Sequence, residues 1–179
     1  MRALILLALT ALPVAAQTCP AAADLSAERA ALISQMQAAK TPETAADAMN
    51  RLWLLLTGAP DPKAQELLDR GMAERDDEDL DSALSAFDQL VHYCPDYPEG
   101  YNQRAFIEFL SADYADALED VNTVLAMQPN HVAALSGKAL VLMGLGRVDE
   151  AQAVLRAALA LNPWLPERGM LIKPLGQSL

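Results

Sequence analysis

The sequence contains few of the residues on which catalytic and metal sites depend. Among 179 residues there are two histidines and two cysteines, and there is no glycine-rich loop of the kind that holds phosphate. His92 and His131 are not spaced like metal ligands, so we expect both to be solvated surface residues. No serine has a histidine partner that the sequence can identify. These absences predict a protein that is not an enzyme and that holds no cofactor or metal ion.

Basic residues are scarce as well. Lysine and arginine total 13 against 24 aspartate and glutamate residues, which gives a formal net charge of −11. The phosphates of nucleic acids and anionic lipid surfaces repel a chain this acidic. We therefore expect no nucleic acid partner.

Long apolar runs are absent apart from one at the N-terminus. Residues 3–12 form an apolar run, which is too short for a helix that crosses a bilayer, since such a helix needs about 20 residues. Arg2 precedes the run, and Pro13 and three small residues follow it. This order is typical of a secretory signal peptide. We expect residues 1–16 to be removed by cleavage after Ala16, and the chain to be exported, to the periplasm if the source is Gram-negative.

Two other interpretations of this segment stay open. It could be an N-terminal core helix or anchor. Cys19 could instead carry the lipid of a lipoprotein, although the preceding triplet Ala16-Gln17-Thr18 matches that signal poorly. The remaining chain, residues 17–179, is long enough for one domain with a core, and it has no other apolar stretch that could span a membrane.

Both cysteines, Cys19 and Cys94, lie in the part that would be exported. An even number of cysteines in an exported chain suggests a disulfide, because disulfides persist in oxidising compartments. We therefore predict a bond between the two, with two free thiols as the alternative.

Three similar joints recur in the second half of the chain. The stretches "YCPDY", "MQPNH" and "LNPWL" contain Pro95, Pro129 and Pro163, which are separated by 34 and 34 residues. Proline cannot continue a helix, so each joint should end one helix and turn the chain into the next. Cutting at this period gives three units without insertion or deletion, residues 64–97, 98–131 and 132–165.

Corresponding positions of the units carry residues of similar size. The eighth and twentieth positions are small, which lets two helices approach closely, and the fourth and twenty-fourth are large and apolar. The apolar spacing within each half is helical, and no half alternates like a strand. In unit order, the residues at these four positions are Leu67, Gly71, Ala83 and Phe87; Tyr101, Ala105, Ala117 and Val121; Leu135, Ala139, Ala151 and Leu155.

The period and this pattern resemble the tetratricopeptide repeat. The resemblance covers 102 of the 163 residues that follow the predicted signal peptide. It implies an all-α, right-handed solenoid in which each unit is a helix, a short turn and a second helix. Two positions depart from the family pattern. The fourth lacks the usual Trp, and the eleventh carries Glu74, Glu108 and Leu142 where Tyr is usual.

Residues 17–63 and 166–179 flank the three units. We predict a linker and a helical hairpin in the first segment, with Thr41 capping the second helix and Pro42 at its first position. The hairpin matches a degenerate fourth unit that caps the stack, except that Met36 stands where a small residue is expected. An unrelated hairpin is the alternative. We expect residues 166–179 to form a short capping helix from Pro166 and a tail.

An acidic run at residues 76–81 allows a calcium interpretation, since neighbouring carboxylates can share a cation. The glycine and the distal glutamate of a calcium loop are missing. We interpret the run as a solvated turn before a helix, where acidic residues favour the positive end of the helix dipole. An enzyme, such as a hydrolase that uses this turn, is the less favoured alternative.

The resemblance also implies a binding surface. In this family the first helices of successive units line a concave groove through their second, fifth, ninth and twelfth positions. Here those positions are Gln65, Leu68, Met72 and Arg75; Glu99, Asn102, Phe106 and Phe109; Ala133, Ser136, Leu140 and Met143. Half of the twelve are large and apolar, and such a patch often marks a binding site. The predicted partner-binding residues are Leu68, Met72, Asn102, Phe106, Phe109, Leu140 and Met143.

Some family members hold the C-terminal carboxylate of a chaperone peptide with Lys and Asn at the fifth and ninth positions of the first unit. Here those positions are Leu68 and Met72, and the later basic positions are Ala133 and Gly137. We therefore expect an apolar segment of a partner rather than a carboxylate.

Together these features predict a non-catalytic protein-interaction scaffold of the cell envelope, whose partner is a protein or peptide. The alternative is a self-assembling structural protein, whose groove is covered by its own terminal segment or by further copies of the chain in a homo-oligomer.

Overall fold

The computed structural model describes residues 18–172, and in this range the chain forms eight α-helices and one short 3-10 helix. The prediction of an all-α helical repeat is confirmed. The helices are α1 Ser26–Ala38, α2 Pro42–Leu56, α3 Pro62–Asp76, α4 Leu80–Tyr93, α5 Pro98–Leu110, α6 Tyr114–Met127, α7 Val132–Gly144 and α8 Val148–Leu161, with the 3-10 helix at Pro166–Met170. The predicted signal peptide lies outside the described residues, as does the tail after residue 172.

The 34-residue period is visible in the helix boundaries. The second helices of the three units begin at Leu80, Tyr114 and Val148 and have the same length. Each unit therefore repeats the same backbone path. A residue with positive φ recurs in the turn inside each unit, at Glu78, Ala112 and Gly146.

The small residues stand where helices nearly touch. Ala83, Ala117 and Ala151 are fully buried at the twentieth position. At the eighth position of the first unit, a Cβ atom on Gly71 would come within 2.5 Å of the Phe87 ring. Gly71 is the smallest of the three eighth-position residues, and Phe87 is the largest of the three twenty-fourth-position residues. The two face each other because the space between two packed helices is fixed.

The degenerate-unit interpretation expects the N-terminal hairpin to extend the stack of repeats. The hairpin does not do so. Instead of continuing the array beyond α3 and α4, α1 packs against α8 at the other end of the repeats. Met36 is fully buried in a shared cluster with Leu52, Val132 and Ala158. The position that is small in the three units carries a large side chain here, and this side chain fills the contact between the hairpin and the last unit.

Polar contacts also fix the hairpin. The Gln37 amide donates to the Ala160 carbonyl at 2.8 Å, and the Tyr97 hydroxyl donates to the Leu56 carbonyl at 2.8 Å. As predicted, Thr41 caps α2 by accepting from the Thr44 backbone N–H, and Pro42 follows it. The hairpin thus lies across the array between the joint of the first unit and the end of the last.

The structure brings the two cysteines together. The sulfur atoms of Cys19 and Cys94 lie at bonding distance, and the Cα atoms are 5.1 Å apart. Cys94 is buried in the core of the first unit, and Cys19 packs against that core. The segment before α1 therefore lies against the end of α4.

The described C-terminal part is short and runs along α8. A short capping helix was expected from Pro166, and the segment Pro166–Met170 forms a short 3-10 helix. The Gln152 amide then holds the chain, since it donates to the Met170 carbonyl and accepts from the Ile172 backbone N–H. Between residues 18 and 172 no helix is long and apolar enough to cross a membrane.

Candidate functional site

A concave opening of about 330 Å³ lies between the first helices of all three units and the hairpin. Its side chains come from five helices, α2, α3, α5, α6 and α7. Apolar and aromatic residues dominate the lining, and among the described residues that line it only Arg75 is charged. The principal side chains are Trp53, Arg75, Asn102, Phe106, Phe109 and Leu140.

The structure brings together part of the predicted groove. Asn102, Phe106, Phe109 and Leu140 line the opening, as do Arg75 and Ala133 from the wider set of twelve. Phe106 is 44% exposed, although it lies in a concavity. This is the part of the predicted groove that solvent reaches.

The other predicted residues do not line the opening. Leu68 is fully buried in the core of the first unit, and Met72 packs against that core. Met143 is half-buried away from the opening. Leu68 and Met72 therefore fill space in the core of the first unit and have packing roles.

The hairpin lies over the remaining part of the concave face. Glu99 occupies a groove-facing position but is only 2% exposed, and it shares a small recess with Leu55 and Leu56 of α2. Ser136, at the equivalent face of α7, is also buried, and among the described residues its hydroxyl has no hydrogen-bond partner. The concave face is therefore divided into a covered part and an open part.

The expectation that His131 is solvated is wrong. His131 is 3% exposed and precedes α7, where its Nδ1 accepts the Ala134 backbone N–H at 3.2 Å. Since Nδ1 accepts, the ring proton is on Nε2, which donates to Glu99 Oε2 at 3.1 Å. The histidine thus caps a helix and joins the second and third units. His92, in contrast, is exposed as predicted.

A chain of hydrogen bonds connects this buried pair to the opening. Glu99 Oε1 accepts from the amides of Gln103 at 2.6 Å and Asn102 at 2.9 Å. The Gln103 carbonyl in turn accepts from Arg75 at 3.1 Å. These bonds fix the polar side chains on the floor of the opening and leave its apolar walls exposed.

Trp53 was missed by sequence reasoning. It comes from α2, outside the three units, yet it forms a wall of the opening opposite α5 and α7. One signal was present in the sequence, since "LWLLL" places five large apolar residues in a row on one helix. Such a row covers the whole circumference of the helix, so a hairpin with one neighbour cannot bury all of it.

The acidic run forms the turn between α3 and α4 and is a helix cap, as predicted. The Asp79 carboxylate accepts from the Ser82 backbone N–H at 3.1 Å, and this bond holds the pKa of Asp79 below its usual value. Asp76 binds Arg75 at 2.7 Å. Within residues 18–172 no cluster of His, Cys, Asp and Glu side chains is arranged to hold a metal ion.

A second charged cluster lies between α4, α5 and α6. Arg104 donates to both oxygens of Asp120, at 2.6 and 2.8 Å, and to Asp88 at 2.9 Å. Burial, with the nearby Asp120 carboxylate, raises the pKa of Glu108 to about 7, although Arg104 opposes the shift. In the described part of the chain, Glu108 Oε2 has no hydrogen-bond partner.

Comparison with known proteins identifies the repeat. The family profile described as tetratricopeptide repeat matches residues 108–167. A TPR repeat-containing protein of Rhizobium etli is 29% identical over 115 residues, which are 64% of this chain and 56% of that protein. Tetratricopeptide repeat protein 36 of Xenopus tropicalis is 33% identical over 96 residues, 50% of this chain and 46% of its own length. The chain spans about half the length of these curated relatives.

A solved structure shows the same architecture. The TPR2B domain of yeast Sti1, in a complex with an Hsp70 peptide, superposes with a TM-score of 0.55 at 25% identity, covering 56% of this chain and 81% of that domain. The helix pairs, the 34-residue period and these similarities all indicate the same helical repeat architecture. The chain thus contains repeats of the tetratricopeptide type, and the family profile matches them over residues 108–167.

Proposed function

We propose that this protein is a non-catalytic interaction module of the cell envelope, which binds an apolar segment of a partner protein in the open part of its concave face. The observation that carries the proposal is the exposed Phe106 within an apolar concavity. Aromatic side chains in such places bury much area on binding and often dominate the binding energy.

The tetratricopeptide-repeat structure of Sti1 supports the protein-binding part of this proposal, since that domain is in a complex with an Hsp70 peptide. This chain differs at the positions that suit a peptide carboxylate. Leu68 is buried, and Ala133 and Gly137 bring no charge to the opening. An apolar segment therefore fits better than a peptide end with its carboxylate.

The envelope location rests on two features. The sequence begins with the pattern of a secretory signal peptide, and the two cysteines are close enough in space to be bonded. A disulfide of this kind persists in an oxidising compartment. We propose that the chain is exported, with cleavage after Ala16, and that the bond forms after export.

Capture of partners from the envelope of the source cell, with the exported chain as bait, tests the proposal. Phe106→Ser should reduce the captured partner at least fivefold, because it removes the exposed ring. Val148→Ser is the matched control, since Val148 is 43% exposed but lies outside the opening. Equal capture by both variants, with helix content preserved, would refute groove binding.

The alternative partner is a second copy of the chain. Light scattering of the purified protein over a range of concentrations separates the two cases. A dimer that Phe106→Ser converts to a monomer would make the open part of the face an interface between copies.

A further inference from the structure

We propose that the open part of the groove takes a single large apolar side chain of a partner segment whose neighbouring residues are basic, and that Trp53 of the hairpin forms one wall of this pocket. The inference rests on the proposed function and names the chemistry of the partner. It assigns a binding role to a residue outside the repeats.

The size and lining of the opening set the apolar part of this inference. At about 330 Å³, the opening is at the lower end of the range of ligand pockets, about 300–1,000 Å³. Next to the opening, the hairpin covers Glu99, and this shortens the exposed part of the concave face. Trp53, Phe106 and Phe109 present rings on its walls, which suits an aromatic or long aliphatic side chain.

The charge around the opening favours basic residues next to the bound apolar side chain. None of the described residues that line the opening is a carboxylate, and the one cation, Arg75, is already bonded to Asp76 and Gln103. The pocket itself is therefore close to neutral. Its surroundings are not, because the protein carries a net charge of −11 and the acidic turn follows directly after Arg75.

The acidic turn is close enough to the opening to act electrostatically on a bound segment. Asp77 and Glu78 are two and three residues from Arg75, so their Cα atoms lie within about 11 Å of its Cα. This is about one Debye length at moderate ionic strength, so exposed carboxylates there attract a cation bound beside the pocket. Lysine or arginine next to the apolar side chain gains from this field, and aspartate or glutamate is repelled.

The Trp53 wall is formed before any partner binds. Leu52, its neighbour on α2, is buried in the cluster with α7 and α8, and the end of α2 is bonded to Tyr97. Trp53 itself remains more than one-third exposed. A preformed wall needs no ordering on binding, so its removal should affect affinity without affecting the fold.

Three labelled peptides test the inference by fluorescence anisotropy. They are acetyl-Lys-Lys-Phe-Lys-Lys-amide, the same peptide with Glu in place of Lys, and the first peptide with Gly in place of Phe. We expect the first peptide to bind at least tenfold more tightly than either of the others. Its binding should weaken with added salt.

Variants then assign the contacts. Trp53→Ala should weaken binding of the Lys-Phe peptide at least fivefold, and Trp53→Phe should restore most of the lost affinity. Trp164→Ala should have no effect, because Trp164 lies outside the opening. Asp77→Asn combined with Glu78→Gln should weaken binding of the Lys-Phe peptide at least threefold. Thermal unfolding checks that each variant is folded.

The outcomes separate this inference from the proposed function. Equal binding of the Lys-Phe and Glu-Phe peptides, or unchanged binding by Trp53→Ala, overturns the inference while Phe106-dependent capture of the partner still stands. No binding of any peptide at millimolar concentration also overturns it. If Phe106→Ser changes neither peptide binding nor partner capture, the proposed function fails as well.

Discussion

The covered and open parts of the concave face share helices but differ in the burial and hydrogen bonding of their polar side chains. Under the hairpin, the Glu99 carboxylate receives three donors, from Asn102, Gln103 and His131, and is closed off from solvent. In the open part, the large exposed side chains, Trp53 and Phe106, are aromatic, and the polar Arg75 and Asn102 are held by hydrogen bonds. The covered part is thus rich in hydrogen bonds, whereas the exposed walls of the open part are apolar.

This difference shows what the hairpin does. Folded proteins bury apolar surface and leave charge outside, and the covered part departs from this rule at Glu99, where hydrogen bonds to both carboxylate oxygens offset the burial. An apolar surface left open beside it has no such structural reason. We infer that the hairpin stabilises the array and restricts binding to the remaining opening.

The largest expected effect comes from the disulfide, which ties the segment before the hairpin to the core of the first unit. Cys19→Ala with Cys94→Ala opens a loop of 75 residues, which should lower the free energy of unfolding by about 4 kcal/mol in the chain-entropy account. Chemical denaturation of the variant and the parent measures the difference. Mass spectrometry of the unreduced exported protein should show a mass lower by two hydrogens, and two thiols that react with an alkylating agent would contradict the bond.

The contact between the hairpin and α8 comes next. Met36→Ala leaves a cavity in a fully buried cluster and should cost about 3 kcal/mol. Leu54→Ala, on the same hairpin but 71% exposed, is the matched control and should change stability by less than about 0.5 kcal/mol. Equal effects of the two substitutions would mean that the hairpin is not packed as described.

A smaller effect is expected at the turns inside the units. Glu78, Ala112 and Gly146 share a left-handed backbone conformation, which is unfavourable for a residue with a Cβ. Gly146→Ala should therefore cost about 1 kcal/mol, and nothing lies close enough to Gly146 to add a steric clash. Ala112→Gly should stabilise by up to about 1 kcal/mol. Thermal unfolding measures both changes, and effects of the same sign would contradict the account.

A different kind of effect is the pH dependence of stability expected from Glu108. Its pKa in the folded state, about 7, is above the usual glutamate value of 4.5, so the folded protein binds the extra proton between these values. Stability from this group should therefore fall as pH rises from about 4.5 through 7. Glu108→Gln should flatten the dependence of unfolding free energy on pH in this range. An unchanged slope would show that another group causes it.

The repeats could be predicted because their packing repeats in the sequence. Ala83, Ala117 and Ala151 must be small where two helices touch, and the prolines must follow the end of each second helix, so the period fixes the helix pairs. Each unit packs mainly on its neighbours in sequence. Local patterns were therefore sufficient for this part of the fold.

The position of the hairpin could not be predicted in the same way. Its pattern matched a unit at most positions, but Met36 stood where a small residue was needed, and the contact it makes instead is with α8, more than 100 residues away in sequence. No local pattern reports such a contact. The Trp53 wall depends on the same long-range arrangement, and the Glu99–His131 pair depends on the packing of α5 against the start of α7, which the apolar pattern does not report.

Site-specific photocrosslinking tests the central claim most directly. A photoreactive phenylalanine analogue placed at position 106 in the source cell should form an adduct with a partner protein when illuminated, whereas the same analogue at position 148 should not. Trp53→Ala in the same chain should reduce the adduct from position 106. No adduct from position 106, or equal adducts from both positions, would contradict the assignment of the open part of the concave face as the binding site.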